Sequence, residues 1–442
     1  MYYDINKKIE LPSNVYTKKI ENHYLLLAAN IPTWVVLDEN EHNLYKCYSN
    51  KKTLKEILFI FKQSSNLSDS STLNTMQSFL EKIEFSDFFS DSKSNNSEDI
   101  TEITKNFQFL LTNNCNMNCK HCYLSAGIKK ENELSFSEWK YILNQIHNEY
   151  KKGVEIVFSG GEPLMCDYTL ELLKISKFNK NKNILFTNGK LITAQNIVDL
   201  KENISEVQIS CEGITKDTYE YFRGKGNYQY FVNALKLLTD NDFKTTLAVT
   251  IVGEKSLYDL EKNLINFLNS LPNKNNLNIR LNETIEKKGN AVDLANNVFE
   301  YSHKKNTRVT NLIKLLKKDK VFLGKQLNKS IKFLNCGIGA NVFISSEGKY
   351  FPCSEFHGDF GNIRTKKLKE VLLEFNQLNN STTIKNMEKC KSCDLKYVCS
   401  GGCRVINKLI NNDYLKPICN QDFINSKYNE LLIDFFRSYD AE

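Results

Sequence analysis

Thr112-Asn-Asn-Cys-Asn-Met-Asn-Cys-Lys-His-Cys-Tyr123 sets three cysteines, Cys115, Cys119 and Cys122, in a C-x3-C-x2-C array on one short segment. Thiolates at this spacing can hold three corners of an iron-sulfur cubane, whereas a purely structural or electron-carrying cluster normally takes four protein ligands. The missing fourth ligand points to one open iron, the natural place for chemistry to begin. Accidental clustering is a poor explanation: of 13 cysteines, seven more fall between Cys336 and Cys419, and only Cys47, Cys166 and Cys211 lie elsewhere.

A chain of 442 residues with 41% hydrophobic and 25% charged residues has room for two or three cored domains. The first ten residues contain no apolar signal region, and the apolar stretch from Tyr24 to Leu37 is short and interrupted. We therefore expect a soluble, cytoplasmic protein with no membrane span. Thirteen cysteines in metal-ligand spacings read as reduced thiolates rather than disulfides. The net charge of +7 is dispersed, so no nucleic-acid partner is expected.

Around the cysteine array the chain divides by pattern. Apolar runs in residues 14–37 suit short strands. Thr53 can cap a helix from Leu54 to Phe61, and Leu73, Met76, Phe79, Leu80 and Ile83 stand at helical spacing. This gives a small strand-then-helix domain over residues 1–90, followed by a Ser/Asp/Asn/Lys-rich linker over 91–106. Between 107 and 295, strands at Phe107–Thr112, Val154–Phe158, Asn183–Thr187, Glu206–Ser210, Thr245–Ile251 and Leu277–Leu281 alternate with helical patterns. Such repetition predicts a parallel α/β sheet curved into a partial (β/α)6 barrel, with ligands at the C-terminal ends of the strands. A helical connector (296–330), a cysteine-rich module (331–425) and a terminal helix (426–442) complete the order.

The array resembles the signature of radical S-adenosylmethionine (SAM) enzymes. That resemblance implies that SAM chelates the open iron and is cleaved to a 5′-deoxyadenosyl radical. Ser159-Gly-Gly-Glu-Pro163 resembles the family's GGEP segment and implies SAM contacts from Gly160, Gly161 and Glu162. Thr187-Asn-Gly189 resembles its TNG turn, with Asn188 as the contact, while Ser210 falls at a strand end near the SAM ribose or carboxylate. Arg223-Gly224 resembles a helix-leading Arg-Gly pair, its guanidinium suited to a carboxylate. Gly289-Asn-Ala291 resembles a GRA-like segment with Asn in place of Arg. No residue is assigned as catalytic in the hydrogen abstraction itself, and His121 reads as a packing residue.

The later cysteines, Cys336, Cys353, Cys390, Cys393, Cys399, Cys403 and Cys419, resemble the seven-cysteine pattern of a SPASM domain. The resemblance assigns Cys390, Cys393, Cys399 and Cys419 to one [4Fe–4S] cluster and Cys336, Cys353 and Cys403 to another, making three clusters in all. Zinc is the alternative for a C-x2-C pair taken alone. Residues 1–90 resemble the PqqD-like, winged-helix-like element that binds a leader peptide by strand addition.

The expected function is therefore a radical SAM maturase of a ribosomally made precursor peptide, like the sactipeptide and ranthipeptide enzymes that join cysteine sulfur to carbon. A flavodoxin or ferredoxin-type protein would supply electrons. The alternatives are a carbon-carbon crosslinking or epimerising maturase, a small-molecule or cofactor-forming radical enzyme, and a non-enzymatic electron-transfer protein.

Overall fold

A computed structural model describes residues 4–89, 106–283, 285, 288–294, 303–319, 321, 332–355 and 358–439. The chain forms two compact units: one takes Met1–Glu102, Lys325–Cys336 and Asn380–Glu442, and the other Ile103–Gly324 and Gly337–Asn379. The cysteine-rich stretch is thus divided between units. The linker read at 91–106 lies almost wholly outside the described residues, as does much of the connector at 296–330.

In the first unit, β1 (Val15–Ile20), β2 (His23–Ala28) and β3 (Thr33–Leu37) form an antiparallel sheet in that order. The strand β1 carries no apolar run because its alternate side chains face solvent. Three helices follow: α1 (Glu39–Lys46), α2 (Leu54–Ser64) and α3 (Asp69–Phe85). Thr53 caps α2 as expected, and Glu56 completes a capping box; Asp38 and Glu41 do the same for α1. The apolar face of α3 runs through Met76, Phe79, Leu80 and Ile83, but Leu73 is 56% exposed. In that first turn the inward position belongs to Thr72 instead.

Leu25, Leu26, Leu27, Val35 and Val36 are fully buried, each burial being worth about 1.5–3 kcal/mol. The same core includes Tyr428, Leu431 and Phe435 of the C-terminal helix Gln421–Ser438. Trp34 ties that helix down, its indole N–H donating to the Leu431 carbonyl at 2.9 Å.

The second unit is built on an eight-stranded sheet. Its parallel run is β4 (Asn106–Leu110), β5 (Glu155–Ser159), β6 (Lys182–Thr187), β7 (Glu206–Cys211), β8 (Thr245–Thr250) and β9 (Leu277–Asn282). These are the six strands expected from the alternation, in sequence order. The crossovers are α4 (Phe136–Glu149), α5 (Thr169–Phe178), α6 (Ile197–Asn203), α7 (Lys216–Arg223) with α8 (Tyr228–Asp240), and α9 (Gly253–Asn269). Their buried faces and the strands make one core that includes Trp139, Phe109, Phe158 and Phe231.

Two features were not visible in the sequence pattern. The helix α7 exists, so Arg223 ends a helix rather than leading one, and Gly224 is its C-cap. The sheet also continues past β4. The strand β10 (Asn341–Ile344) pairs parallel to β4 in the register Asn341↔Asn106 to Ile344↔Phe109, and β11 (Tyr350–Phe351) pairs antiparallel to β10.

Candidate functional site

The three cysteines leave β4 on a loop that is pinned at many points. Glu133 accepts from the Thr112 hydroxyl at 2.7 Å and the Asn113 N–H at 2.6 Å, fixing where the loop begins. The Cys115 N–H donates to the Gly127 carbonyl at 3.1 Å, and Lys120 N–H to the Phe222 carbonyl of α7 at 3.0 Å. The unforeseen helix therefore braces the loop between its second and third cysteines. Asn290 does so from the other side: its N–H donates to the Cys122 carbonyl at 2.8 Å and its amide to the Cys119 carbonyl at 3.0 Å. Gly289 makes this approach possible, because its φ of +58° and a Cβ only 2.3 Å from the Cys122 carbonyl oxygen would exclude any side chain. The Gly289-Asn-Ala291 segment thus has a defined position, although Asn, rather than the resembled Arg, provides it.

The Gly-Gly-Glu turn packs against the start of the same loop. Gly161 and Glu162 donate their N–H groups to the Thr112 and Asn114 carbonyls, each at 2.8 Å. A Cβ on Gly160 would come 2.6 Å from the Thr112 oxygen, and one on Gly161 2.3 Å from that of Asn114. Glu162 is completely buried and does not line the cavity. Its carboxylate accepts from the Thr187 hydroxyl (2.8 and 3.0 Å to the two oxygens), the Asn188 N–H (2.9 Å) and the Leu164 N–H (3.1 Å). Burial pushes its pKa up, and these donors oppose the rise. Glu162 is therefore placed to hold the Thr187-Asn188 turn. Asn188 reaches on, its amide donating to Asn116 Oδ1 at 2.8 Å and lying 3.9 Å from Cys115 Sγ.

Arg223 is buried, and its two-pronged partner is internal. Nε and Nη2 donate to Glu212 at 2.5 and 2.7 Å, and His121 Nε2 lies 2.9 Å from the same carboxylate. Burial raises the Glu212 pKa, but Arg223 and His121 outweigh it and hold the group down at about 2. Glu212 carried no sequence signal beyond following the strand-end Ser210 by two positions. His121 is more than packing: it orients Glu212, and its Nδ1 is buried without a hydrogen-bond partner among the described residues.

These groups meet at a cavity of about 440 Å³ at the C-terminal ends of the strands. Cys115, Cys119, Cys122, His121, Gly160, Gly161, Asn188, Ser210, Glu212 and Arg223 all line it. Its remaining wall mixes apolar side chains, among them Met117, Phe186 and Ile285, with the neutral polar Gln108, Gln208, Thr250 and Asn282, and Ser354 and Glu355 enter from beyond β11.

Burial pushes Cys119 up to about 12 and raises Cys115, so bare thiolates are disfavoured here. Among the described residues, no three Cys, His, Asp or Glu side chains converge on a single-ion site. The donor set fits a larger group, with the three loop thiols close together on one cavity. Cys115, Cys119 and Cys122 would hold the cluster, and Gly160, Gly161, Asn188 and Ser210, which line the same cavity, would border the SAM bound to it.

In the other unit, Cys390 is pushed up to about 11, first by burial and then by the nearby thiols of Cys399, Cys393 and Cys419. That is the four-cysteine set expected for one auxiliary cluster. Cys336 and Cys403 belong to this unit and Cys353 to the second.

Residues 109–267 match the radical SAM superfamily, and residues 336–394 match the SPASM iron-sulfur cluster-binding domain. The chain is 25% identical to an AdoMet-dependent heme synthase of Methanosarcina barkeri, over 70% of this chain and 94% of that protein. It is 24% identical to the radical SAM cyclopropyl synthase TigE of Paramaledivibacter caminithermalis, over 83% and 84% of the two chains. In fold it is similar to Streptococcus suis SuiB bound to precursor peptide SuiA, with a TM-score of 0.54, 17% identity, and coverage of 93% and 99%. Among the described residues no helix is long and apolar enough to cross a membrane. The thiol loop, the strand-end cavity and these matches give the chain a radical SAM domain followed by a SPASM iron-sulfur domain.

Proposed function

We propose that the enzyme is a peptide maturase that joins a cysteine sulfur to a carbon of a ribosomally made precursor peptide. The observation that carries the peptide class is the cavity wall. Gln108, Gln208, Ser210, Thr250 and Asn282 offer neutral donors and acceptors, the complement of a peptide backbone. Among the described lining residues Arg223 is the only lysine or arginine, and Glu212 engages it. Heme carries carboxylates that call for cations, so this wall argues against the substrate class of the heme-synthase relative. The strand order leaves β1 at a sheet edge, which supports a PqqD-like role in binding a leader peptide by strand addition.

When bound, the cluster and SAM would supply the 5′-deoxyadenosyl radical. The chain's own contribution is positional. Asn290 and α7 hold the thiol loop, Glu162 holds Asn188, and the polar side chains of the wall orient the peptide. In net terms a C–H and an S–H bond would break and a C–S bond form: the hydrogen atom would go to the 5′-deoxyadenosyl radical, the thiol proton to solvent, and the remaining electron would return to the iron-sulfur centres that supplied one for SAM cleavage. The thioether reading rests on the resemblance, which gives one auxiliary ligand set three cysteines where the other has four, so that a substrate thiolate would complete it.

The test is anaerobic reconstitution with iron and sulfide, then reduction with SAM and a cysteine-rich peptide encoded beside the enzyme. The expected result is 5′-deoxyadenosine together with a two-hydrogen mass loss and a thiol protected from alkylation. Two-hydrogen loss with a free thiol would replace the thioether by a carbon-carbon link, and unchanged mass with altered stereochemistry would indicate epimerisation. Turnover of an iron porphyrin in place of the peptide would overturn the peptide class. Cys353→Ala should retain SAM cleavage and lose the crosslink.

A further inference from the structure

Arg404 is a fully buried cation that none of the functional features above employs. Its Nε donates to the Thr382 carbonyl, Nη1 to that of Gly402 and Nη2 to that of Ser400, each at 2.7 Å. Carbonyls satisfy N–H groups but carry no net charge, and among the described residues no Asp or Glu pairs with this guanidinium. An interior charge without an opposite charge is costly, and buried charges are ordinarily paired.

Arg404 directly follows Cys403, and its Nη2 and Nη1 hold the Ser400 and Gly402 carbonyls in the loop that runs from Cys399 to Cys403. Cys390, Cys399 and Cys403 belong to the same compact unit as Arg404. The segment between Cys399 and Cys403 consists of three consecutive positive-φ residues, Ser400 (55°), Gly401 (77°) and Gly402 (73°). Arg404 holds two of their three carbonyls, so the one side chain both shapes this loop and places a positive charge beside its thiols.

We propose that Arg404 is the internal countercharge of the auxiliary iron-sulfur cluster assigned to Cys390, Cys393, Cys399 and Cys419, and that it keeps the reduction potential of that cluster up. The inference rests on reading these cysteines as cluster ligands. Thiolate ligation gives a cluster net negative charge, and each added electron increases it. A fixed cation nearby therefore favours the reduced form.

The test uses the full-length chain carrying Cys115→Ala, Cys119→Ala and Cys122→Ala, so that auxiliary clusters alone give signals. Iron and sulfide content and the EPR-monitored midpoint are compared with Arg404→Lys and Arg404→Gln added. Arg404→Gln is expected to load iron but to show a tenfold lower reduced-to-oxidised ratio at the parent midpoint, about 59 mV for one electron. Arg404→Lys should stay within twofold of the parent. Loss of iron from the Gln variant alone would also support the countercharge. An unshifted midpoint in the Gln variant would overturn it, as would loss of iron from a folded Lys variant, which would make the guanidinium's bonds decisive instead. A parent chain that binds no auxiliary iron would refute the ligand reading itself, a result distinct from either.

Discussion

Arg223 and Glu212 form a buried two-pronged ion pair, with Nε–Oε2 at 2.5 Å and Nη2–Oε1 at 2.7 Å, on the wall of the cavity that the three loop cysteines share. The guanidinium cannot be left alone there. Glu212→Gln should cost about 3–5 kcal/mol, the usual result of removing one partner from a buried pair. Chemical denaturation of the reconstituted enzyme measures it, and a loss below about 1 kcal/mol would show that water reaches Arg223.

The same pair sets an acid limit. The folded-state pKa of Glu212, about 2, lies below its ordinary value of 4.5. Its stabilisation is therefore fully present above about pH 4.5 and is lost as pH falls toward 2. The shift corresponds to about 3 kcal/mol. Between pH 4.5 and 2 the parent should lose stability more steeply than Glu212→Gln; parallel curves would refute the assignment.

Gly289→Ala should empty the loop of its cluster. The new methyl would lie 2.3 Å from the Cys122 carbonyl oxygen on a backbone that disfavours side chains. Asn290→Ala removes only the bond to the Cys119 carbonyl, a net effect of about 1 kcal/mol. Iron per chain, measured with the auxiliary cysteines mutated to alanine, should fall to background for the first variant and only partly for the second.

Glu162→Gln should weaken SAM without removing iron. A glutamine has one acceptor oxygen where the carboxylate accepts from Thr187, Asn188 and Leu164. Losing one such bond predicts roughly tenfold weaker SAM binding, read by equilibrium dialysis. Unaltered affinity would separate Glu162 from the SAM site.

Trp34→Phe keeps the ring in the first unit's core but removes the N–H that holds the Leu431 carbonyl. A loss of about 1 kcal/mol is expected in thermal unfolding, together with earlier hydrogen exchange in the C-terminal helix.

Much of this could be read locally. The strands β4 to β9 announce themselves because each is a short apolar run between helical periods, and Thr53 with Glu56 states the start of α2 in four residues. The contacts around the thiol loop could not be read this way. Asn188 engages Asn116, Arg223 engages Glu212, and Glu162 faces Thr187 and Asn188 rather than the cavity. Charge and shape at these positions suit a ligand or an internal partner equally well, and only the packing of separate crossovers chooses between them. The helix α7 was missed because its residues are mostly polar, with an apolar stripe too short to stand out.

The sequence by itself determined the alternation of strands and helices, the thiol array and the glycine turns, because spacing, hydrophobic period and backbone freedom are properties of neighbouring residues. Only the tertiary structure decided that Asn290 and α7 brace the thiol loop, that β10 extends the sheet beside β4, and that Arg404 lies buried on backbone carbonyls with no carboxylate partner among the described residues. Those relationships join residues far apart in the chain, where geometry and desolvation, rather than local propensity, select the partner.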